Sequence, residues 1–172
     1  MTALIRMDRS WTPLGEGRPK PIQFCSRCGH PSEEPSRSRE PIRRERVCRQ
    51  CGMGLMLSCS RDVLPGARAA FLIVTFDLTV SAVSEAGEKV FGPEQELIGR
   101  PLLDLLGSPM GDDRLARRVG QAAQRASDPV VMPLRLRSEQ ARKVGTMAAR
   151  IATCGPPRAA LVTVEPSEFG RR

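Results

Sequence analysis

Two short motifs of the same form carry the most recognisable chemistry in the sequence. The unit Cys-x-x-Cys-Gly occurs once with Cys25 and Cys28 and again with Cys48 and Cys51. A two-residue gap allows both sulfurs of a pair to reach one ion at about 2.3 Å. Residues 29–47 separate the pairs, a spacing typical of a zinc ribbon. Four thiolates fill the tetrahedral shell of Zn²⁺ and leave no position for water, so we predict a structural zinc site.

The surroundings of the cysteines leave some alternatives open. A glycine follows each pair and permits a tight turn in which backbone N–H groups can point at the thiolates. The cysteines could instead be a redox pair or be buried without a metal, and His30 could replace one ligand. Cys59 and Cys154 stand outside the pattern. We expect both to be small buried hydrophobic residues, although either could be reactive and a disulfide between them is conceivable.

The predicted zinc ligands belong to a small front module. We expect a ribbon over residues 21–57, preceded by a flexible tail over 1–20 and followed by a linker over 58–69. The stretch 31–41 between the pairs is rich in Pro, Ser, Glu and Arg and cannot bury an apolar face. It is expected to be an exposed loop whose ends the metal ties together.

A larger second domain is expected over residues 70–166, with a flexible end over 167–172. Two strand patterns, several short helices, one longer amphipathic helix and three further strand patterns follow one another in this part. Ser84 is placed to cap the first short helix, and the longest helix is expected over 112–126. Strands before and after a group of helices favour an α+β fold with an antiparallel sheet.

The second domain resembles the PAS family of sensor domains. Residues 84–92, SEAGEKVFG, are similar to the short-helix segment of these domains, and residues 96–106 are similar to the segment that follows it. The order of strands and helices over 70–164 agrees with the resemblance. The whole chain also resembles short bacterial proteins of actinobacterial type that join a zinc ribbon to a PAS-like domain. Residues 154–161 share in that similarity.

The PAS resemblance implies a five-stranded antiparallel sheet whose helices can enclose a ligand pocket on one face. Apolar candidates for the wall of such a pocket, each of which can equally be plain core, are Leu72, Val74, Val90, Phe91, Leu102, Leu106, Val119 and Met132. The sequence does not identify the ligand. The one histidine lies in the ribbon, which argues against a His-ligated haem, and the cysteine motif of flavin photoreceptors is absent.

The sequence offers no recognisable catalytic machinery. His30 follows a predicted zinc turn and is a poor general base, and neither a phosphate-binding loop nor His-Glu-x-x-His nor Gly-x-Gly-x-x-Gly occurs. The start of the chain lacks the pattern of a secretory leader, and the longest apolar run covers only residues 71–76. We therefore expect a cytoplasmic protein without enzymatic activity and without membrane contact.

Three functional hypotheses follow from these features. In the first, the chain is a regulatory or signalling protein whose ribbon docks a partner. Its PAS-like domain would then sense a small molecule or associate with itself or another protein. The second is a transcriptional regulator that contacts nucleic acid weakly through its ribbon, which the modest net charge of +8 permits but does not require. The arginines that would touch phosphates are Arg27, Arg43, Arg44, Arg46 and Arg49. The third is a switch that responds to oxidants or to zinc.

Overall fold

The computed structural model of the protein describes residues 21–32, 46–125, 127–137 and 145–166. Its front elements are strands β1 (Pro21–Cys25), β2 (Pro31–Ser32) and β3 (Met56–Ser60), then a one-turn 3₁₀ helix (Arg61–Val63). The remaining elements are β4 (Ala70–Val74), β5 (Val80–Val83), α1 (Glu85–Phe91), α2 (Glu94–Leu97), α3 (Leu102–Leu105), β6 (Leu106–Gly107), α4 (Asp112–Gln124), β7 (Val130–Leu136), β8 (Met147–Gly155) and β9 (Ala159–Pro166). The predicted tails, and most of the predicted loop between the cysteine pairs, lie outside the described residues.

One antiparallel sheet connects the front of the chain to the rest. The strand order is β2-β1-β3-β8-β9-β4-β5, and β7 pairs with β8 beside β3. Strands β5, β4, β9, β8 and β7 form the five-stranded antiparallel sheet that the PAS resemblance implies. The four helices α1–α4 lie between β5 and β7 in the chain. The predicted α+β class is therefore confirmed.

One face of this sheet packs against the helices. Leu72 and Val74 of β4 share a buried cluster with Leu115 and Val119 of α4. The helix presents an apolar stripe because Leu115, Val119 and Ala122 recur every three or four residues. Its 13 residues make α4 the longest helix in the described ranges, and none of these helices is long and apolar enough to cross a membrane.

Ser84 fixes the start of α1 and ties it to the sheet. Its hydroxyl oxygen accepts hydrogen bonds from the backbone N–H of Gly87 and of Phe71, both at 2.9 Å. The hydroxyl itself donates to the Ala69 carbonyl at 3.1 Å. A buried hydroxyl with these partners satisfies an N–H of the first helical turn and one of β4, so the predicted cap is confirmed.

The other face of the sheet is covered by the ribbon. Ile22, Phe24 and Leu57 from β1 and β3 share a second buried cluster with Phe71 and Leu161 of the sheet. The rings of Phe24 and Phe71 meet edge to face, with centroids 5.8 Å apart. The ribbon therefore buries Ile22, Phe24 and Leu57 against the sheet, while Val47, Met53 and Leu55 stay exposed.

The first three residues of the predicted linker, 58–60, are the last residues of β3. This strand pairs with β1 on one side and with β8 on the other. Leu57 and Cys59 are buried while the serines between and after them are half-buried, which is the alternation of a strand with one covered face. The ribbon and the five-stranded sheet are thus joined by a shared strand, since Leu57 and Cys59 of β3 pack in the buried cluster that lies between them.

Candidate metal centre

Each cysteine pair lies on a turn of the same construction. After β1 ends at Cys25, the chain turns so that the Gly29 N–H donates to the Cys25 carbonyl at 3.0 Å. In the second turn the Gly52 N–H donates to the Cys48 carbonyl at 2.9 Å. Both glycines have a positive φ, 71° and 70°, which residues with a Cβ rarely adopt. The predicted role of the glycine after each pair is confirmed.

The two turns bring the four predicted ligands to one point. The sulfurs of Cys25, Cys28, Cys48 and Cys51 all lie within 4.8 Å of one another. Cys25 Sγ is 3.6 Å from Cys51 Sγ, and Cys28 Sγ is 3.8 Å from Cys48 Sγ. A regular tetrahedron with metal–sulfur distances of about 2.3 Å has edges of about 3.8 Å, so the cluster fits an ion such as Zn²⁺. His30 is exposed and does not belong to this group.

The thiols of Cys25, Cys28 and Cys51 do not favour a negative charge equally. Burial raises the pKa of Cys25 to about 12 and also raises the pKa of Cys28. Backbone N–H groups of Gly54 and Met53 instead lower the pKa of Cys51 to about 6. A bound cation stabilises all four thiolates, so metal binding displaces protons from Cys25 and Cys28. The affinity for metal therefore falls as the pH falls.

Gly54 is a position whose importance sequence reasoning missed. Its N–H donates to Cys51 Sγ at 3.4 Å, so its backbone supports one ligand. A Cβ at this position would stand 2.2 Å from Cys25 Sγ and 2.9 Å from Arg27 Cβ. Only a glycine leaves room for the first turn to approach. The signal available in the sequence was that Gly54 is a second glycine, two residues after the Gly52 that completes the Cys-x-x-Cys-Gly motif.

Ser26 holds the two turns together and was also missed. Its N–H donates to the Leu55 carbonyl at 2.8 Å, and its hydroxyl oxygen accepts from the Leu55 N–H at 3.0 Å. The N–H of Cys48 donates to the Gly54 carbonyl at 2.8 Å. The two Ser26–Leu55 bonds link the turns, and the Cys48–Gly54 bond closes the second turn, so part of the site's geometry is set without the metal.

Arg27 connects the metal centre to the helices. Its guanidinium lies 2.7 Å from a carboxylate oxygen of Glu94 and 3.4 Å from one of Glu88. Its backbone carbonyl accepts the N–H of Glu85, at the start of α1, at 2.8 Å. One of the two residues between the first two ligands is therefore bonded to α1 and α2.

The other arginines of the nucleic-acid hypothesis are placed differently. Arg46 and Arg49 are exposed beside the second turn. Arg43 and Arg44 lie outside the described residues. Arg27 is held by two carboxylates, and a phosphate contact stays a prediction for all five arginines.

The link through Arg27 can be measured with a double-mutant cycle. We expect Arg27→Gln and Glu94→Gln to be coupled by about 0.5–1 kcal/mol in the free energy of unfolding, because the pair is partly screened by solvent. The two side chains are 26% and 32% exposed. Urea unfolding of the zinc-loaded single and double variants measures the coupling. Glu96→Gln is the matched control, because no described ion pair joins Glu96 to Arg27, and its effect is expected to add independently.

The eight candidates for a ligand pocket fall into two groups. Those buried in the core between the sheet and the helices are Leu72, Val74, Leu102, Leu106, Val119 and Met132. Phe91 is partly buried and packs against this core. Val90 instead lines a surface groove of about 770 Å³ that also contacts Arg27 and Cys28. A ligand contact stays a prediction for all eight. The two cysteines outside the metal cluster, Cys59 and Cys154, are buried as expected.

Comparison with known proteins shows a similarity of fold to solved structures. Neither models of protein families nor curated proteins match the sequence. Among solved structures, the chain is similar to a PAS domain from a two-component sensor histidine kinase, with 14% sequence identity and a TM-score of 0.45. The likeness covers 62% of this chain and 91% of that one. The fold class given above rests on the strand order and helices of the chain itself.

Proposed function

We propose that this chain is a non-enzymatic regulatory protein in which a zinc-bound ribbon is coupled to a PAS-like sensor unit. The sensor unit takes a small-molecule ligand, or associates with a second copy or another protein. The ribbon docks the partner that receives the signal. In this proposal zinc is structural, because four cysteines leave no open coordination position.

The direct connection between ribbon and sheet is the observation that supports this proposal best. Strand β3 pairs with β1 of the ribbon and with β8 of the sheet. Arg27, beside the ligand Cys28, pairs with Glu88 of α1 and Glu94 of α2. A ligand or partner that displaces β8 or these helices therefore also acts on the metal centre, through packed and hydrogen-bonded groups.

Removal of the metal tests this coupling. We expect a chelator to reduce hydrogen-exchange protection in the ribbon and also in β8 and α1, because both contact it. Protection of α4, which packs on the opposite face of the sheet, is expected to change least. If only residues 21–32 and 46–60 lost protection, the ribbon and sheet would behave as independent units and the proposed coupling would be wrong.

Native mass spectrometry of freshly purified protein tests the other parts of the proposal. One zinc ion per chain is expected, together with the mass of a retained small molecule or of an associated second chain. Protein that carried no stoichiometric metal would contradict the role given to the ribbon. A zinc-loaded monomer that retained no ligand would count against sensing and self-association and leave a separate protein partner.

Nucleic-acid binding is a second candidate, favoured by the charge of the ribbon. Residues 21–57 contain seven arginines and four glutamates. Four thiolates around one Zn²⁺ offset part of this positive charge. The hypothesis predicts binding to DNA or RNA that weakens steeply as salt is raised. Absence of binding at low salt would remove it.

A further inference from the structure

Cys59 and Cys154 take no part in the metal cluster, and the fold places them opposite each other. Cys59 lies in β3 and Cys154 in β8, and the two are direct partners in the antiparallel register. Their side chains belong to the same buried cluster and are 4% and 3% exposed. Opposite residues that share a face are nearest neighbours across the two strands.

This placement satisfies the main requirement for a disulfide. Opposite residues of antiparallel strands have Cα atoms about 4.5–5.5 Å apart. Disulfides join residues whose Cα atoms are about 4.4–6.8 Å apart. Both cysteines are free thiols in the structure. No change in the pairing of β3 with β8 is needed to bring them within bonding range.

We propose that Cys59 and Cys154 form a reversible disulfide that joins the ribbon covalently to the sheet. The oxidant is a low-molecular-weight disulfide. One protein thiolate attacks it, forms a mixed disulfide and releases one small thiol, and the second protein thiolate then displaces the other small thiol. Two protein thiols become one S–S bond, the S–S bond of the oxidant becomes two thiols, and two protons pass from the protein to the small thiols.

An oxidant reaches the two thiols only when the short pairing between β3 and β8 opens. The register between β3 and β8 contains only Ser58 opposite Gly155 and Cys59 opposite Cys154. Burial raises the pKa of both thiols to about 12, so the closed structure reacts slowly. Local separation of two residue pairs exposes both thiols at once, while bound metal holds the other four cysteines.

The expected product can be identified directly. Zinc-loaded protein is incubated with oxidised glutathione, free thiols are alkylated, and the digest is analysed by mass spectrometry. We expect a cross-linked peptide that contains Cys59 and Cys154, a mass loss of about 2 Da for the whole chain, and unchanged zinc content. The oxidised form is expected to melt several degrees higher than the reduced form, since the bond closes a long loop.

Single variants separate this pair from the metal ligands. In Cys59→Ala and in Cys154→Ala the cross-link is expected to disappear, and the remaining cysteine is expected to carry glutathione instead. Refolding in the presence of zinc and oxidised glutathione removes slow access as a cause of failure. A refolded, zinc-loaded protein in which neither treatment joins Cys59 to Cys154, or in which either cysteine pairs with a metal ligand, would overturn the proposal. The outcome is independent of which partner or ligand the protein takes.

Discussion

A Cys48→Ser variant is expected to lose zinc and to unfold the ribbon, while α4, on the opposite face of the sheet, stays folded. Cys48 is 2% exposed, and its sulfur lies 3.8 Å from Cys28 Sγ in the ligand cluster. A serine hydroxyl stays protonated and does not replace a thiolate ligand. Four-cysteine sites bind Zn²⁺ with about 10–16 kcal/mol, so one ligand accounts for about 3 kcal/mol and affinity falls at least about a hundred-fold.

Two measurements check this result. Competition with a chelator gives the zinc affinity, and hydrogen exchange shows whether residues 46–60 lose protection. Cys59→Ala is the control, because Cys59 is also buried but lies outside the metal cluster, and it is expected to keep zinc. A Cys48→Ser protein with wild-type affinity, or one that lost zinc without any change in the ribbon, would contradict the structural role of the metal.

A Gly54→Ala variant is expected to damage the metal centre without removing a ligand. The new Cβ would stand 2.2 Å from Cys25 Sγ and 3.0 Å from the Arg27 nitrogen, so the sulfur or the loop must move. Overpacking of this kind costs about 1–3 kcal/mol, which corresponds to a loss of zinc affinity between about fivefold and about 150-fold. Chelator competition measures the loss. The visible bands of the Co²⁺-substituted protein report the distortion of the tetrahedron.

Gly66→Ala is the matched control for this variant. Gly66 is exposed, and a Cβ there would meet nothing within 4 Å. It is expected to bind zinc like the unmodified protein and to leave the Co²⁺ spectrum unchanged. If Gly54→Ala behaved in the same way as Gly66→Ala, the close approach of the two turns would not be needed for metal binding.

The sequence predicted those parts of the site that depend on local spacing. The two Cys-x-x-Cys-Gly units specify their own turns, since Gly29 and Gly52 both adopt the positive φ that the motif requires. The cap at Ser84 and the apolar stripe of α4 are local for the same reason. Such features need only a few neighbouring residues, so composition and spacing are sufficient to find them.

The features that the sequence did not predict depend on contacts between distant segments. Gly54 is constrained by Cys25, and Arg27 by Glu94, which lies 67 residues away in the chain. Three of the five residues of β3 fall in the predicted linker over 58–69, and a short alternating segment shows no preference for a particular partner strand. The strand that pairs with β3 is determined only when the buried cluster between the ribbon and the sheet forms.

The shared strand implies that the two halves of this chain are not interchangeable modules. A fragment starting at residue 70 would present Phe71 and Leu161 to water and leave part of the β8 edge unpaired, which favours aggregation. Conversely, a ribbon transplanted onto an unrelated host would lack the strand on which β3 aligns. Substitutions that enlarge the buried side chains of β3 are therefore expected to need compensating ones in the sheet, so that the two halves change together.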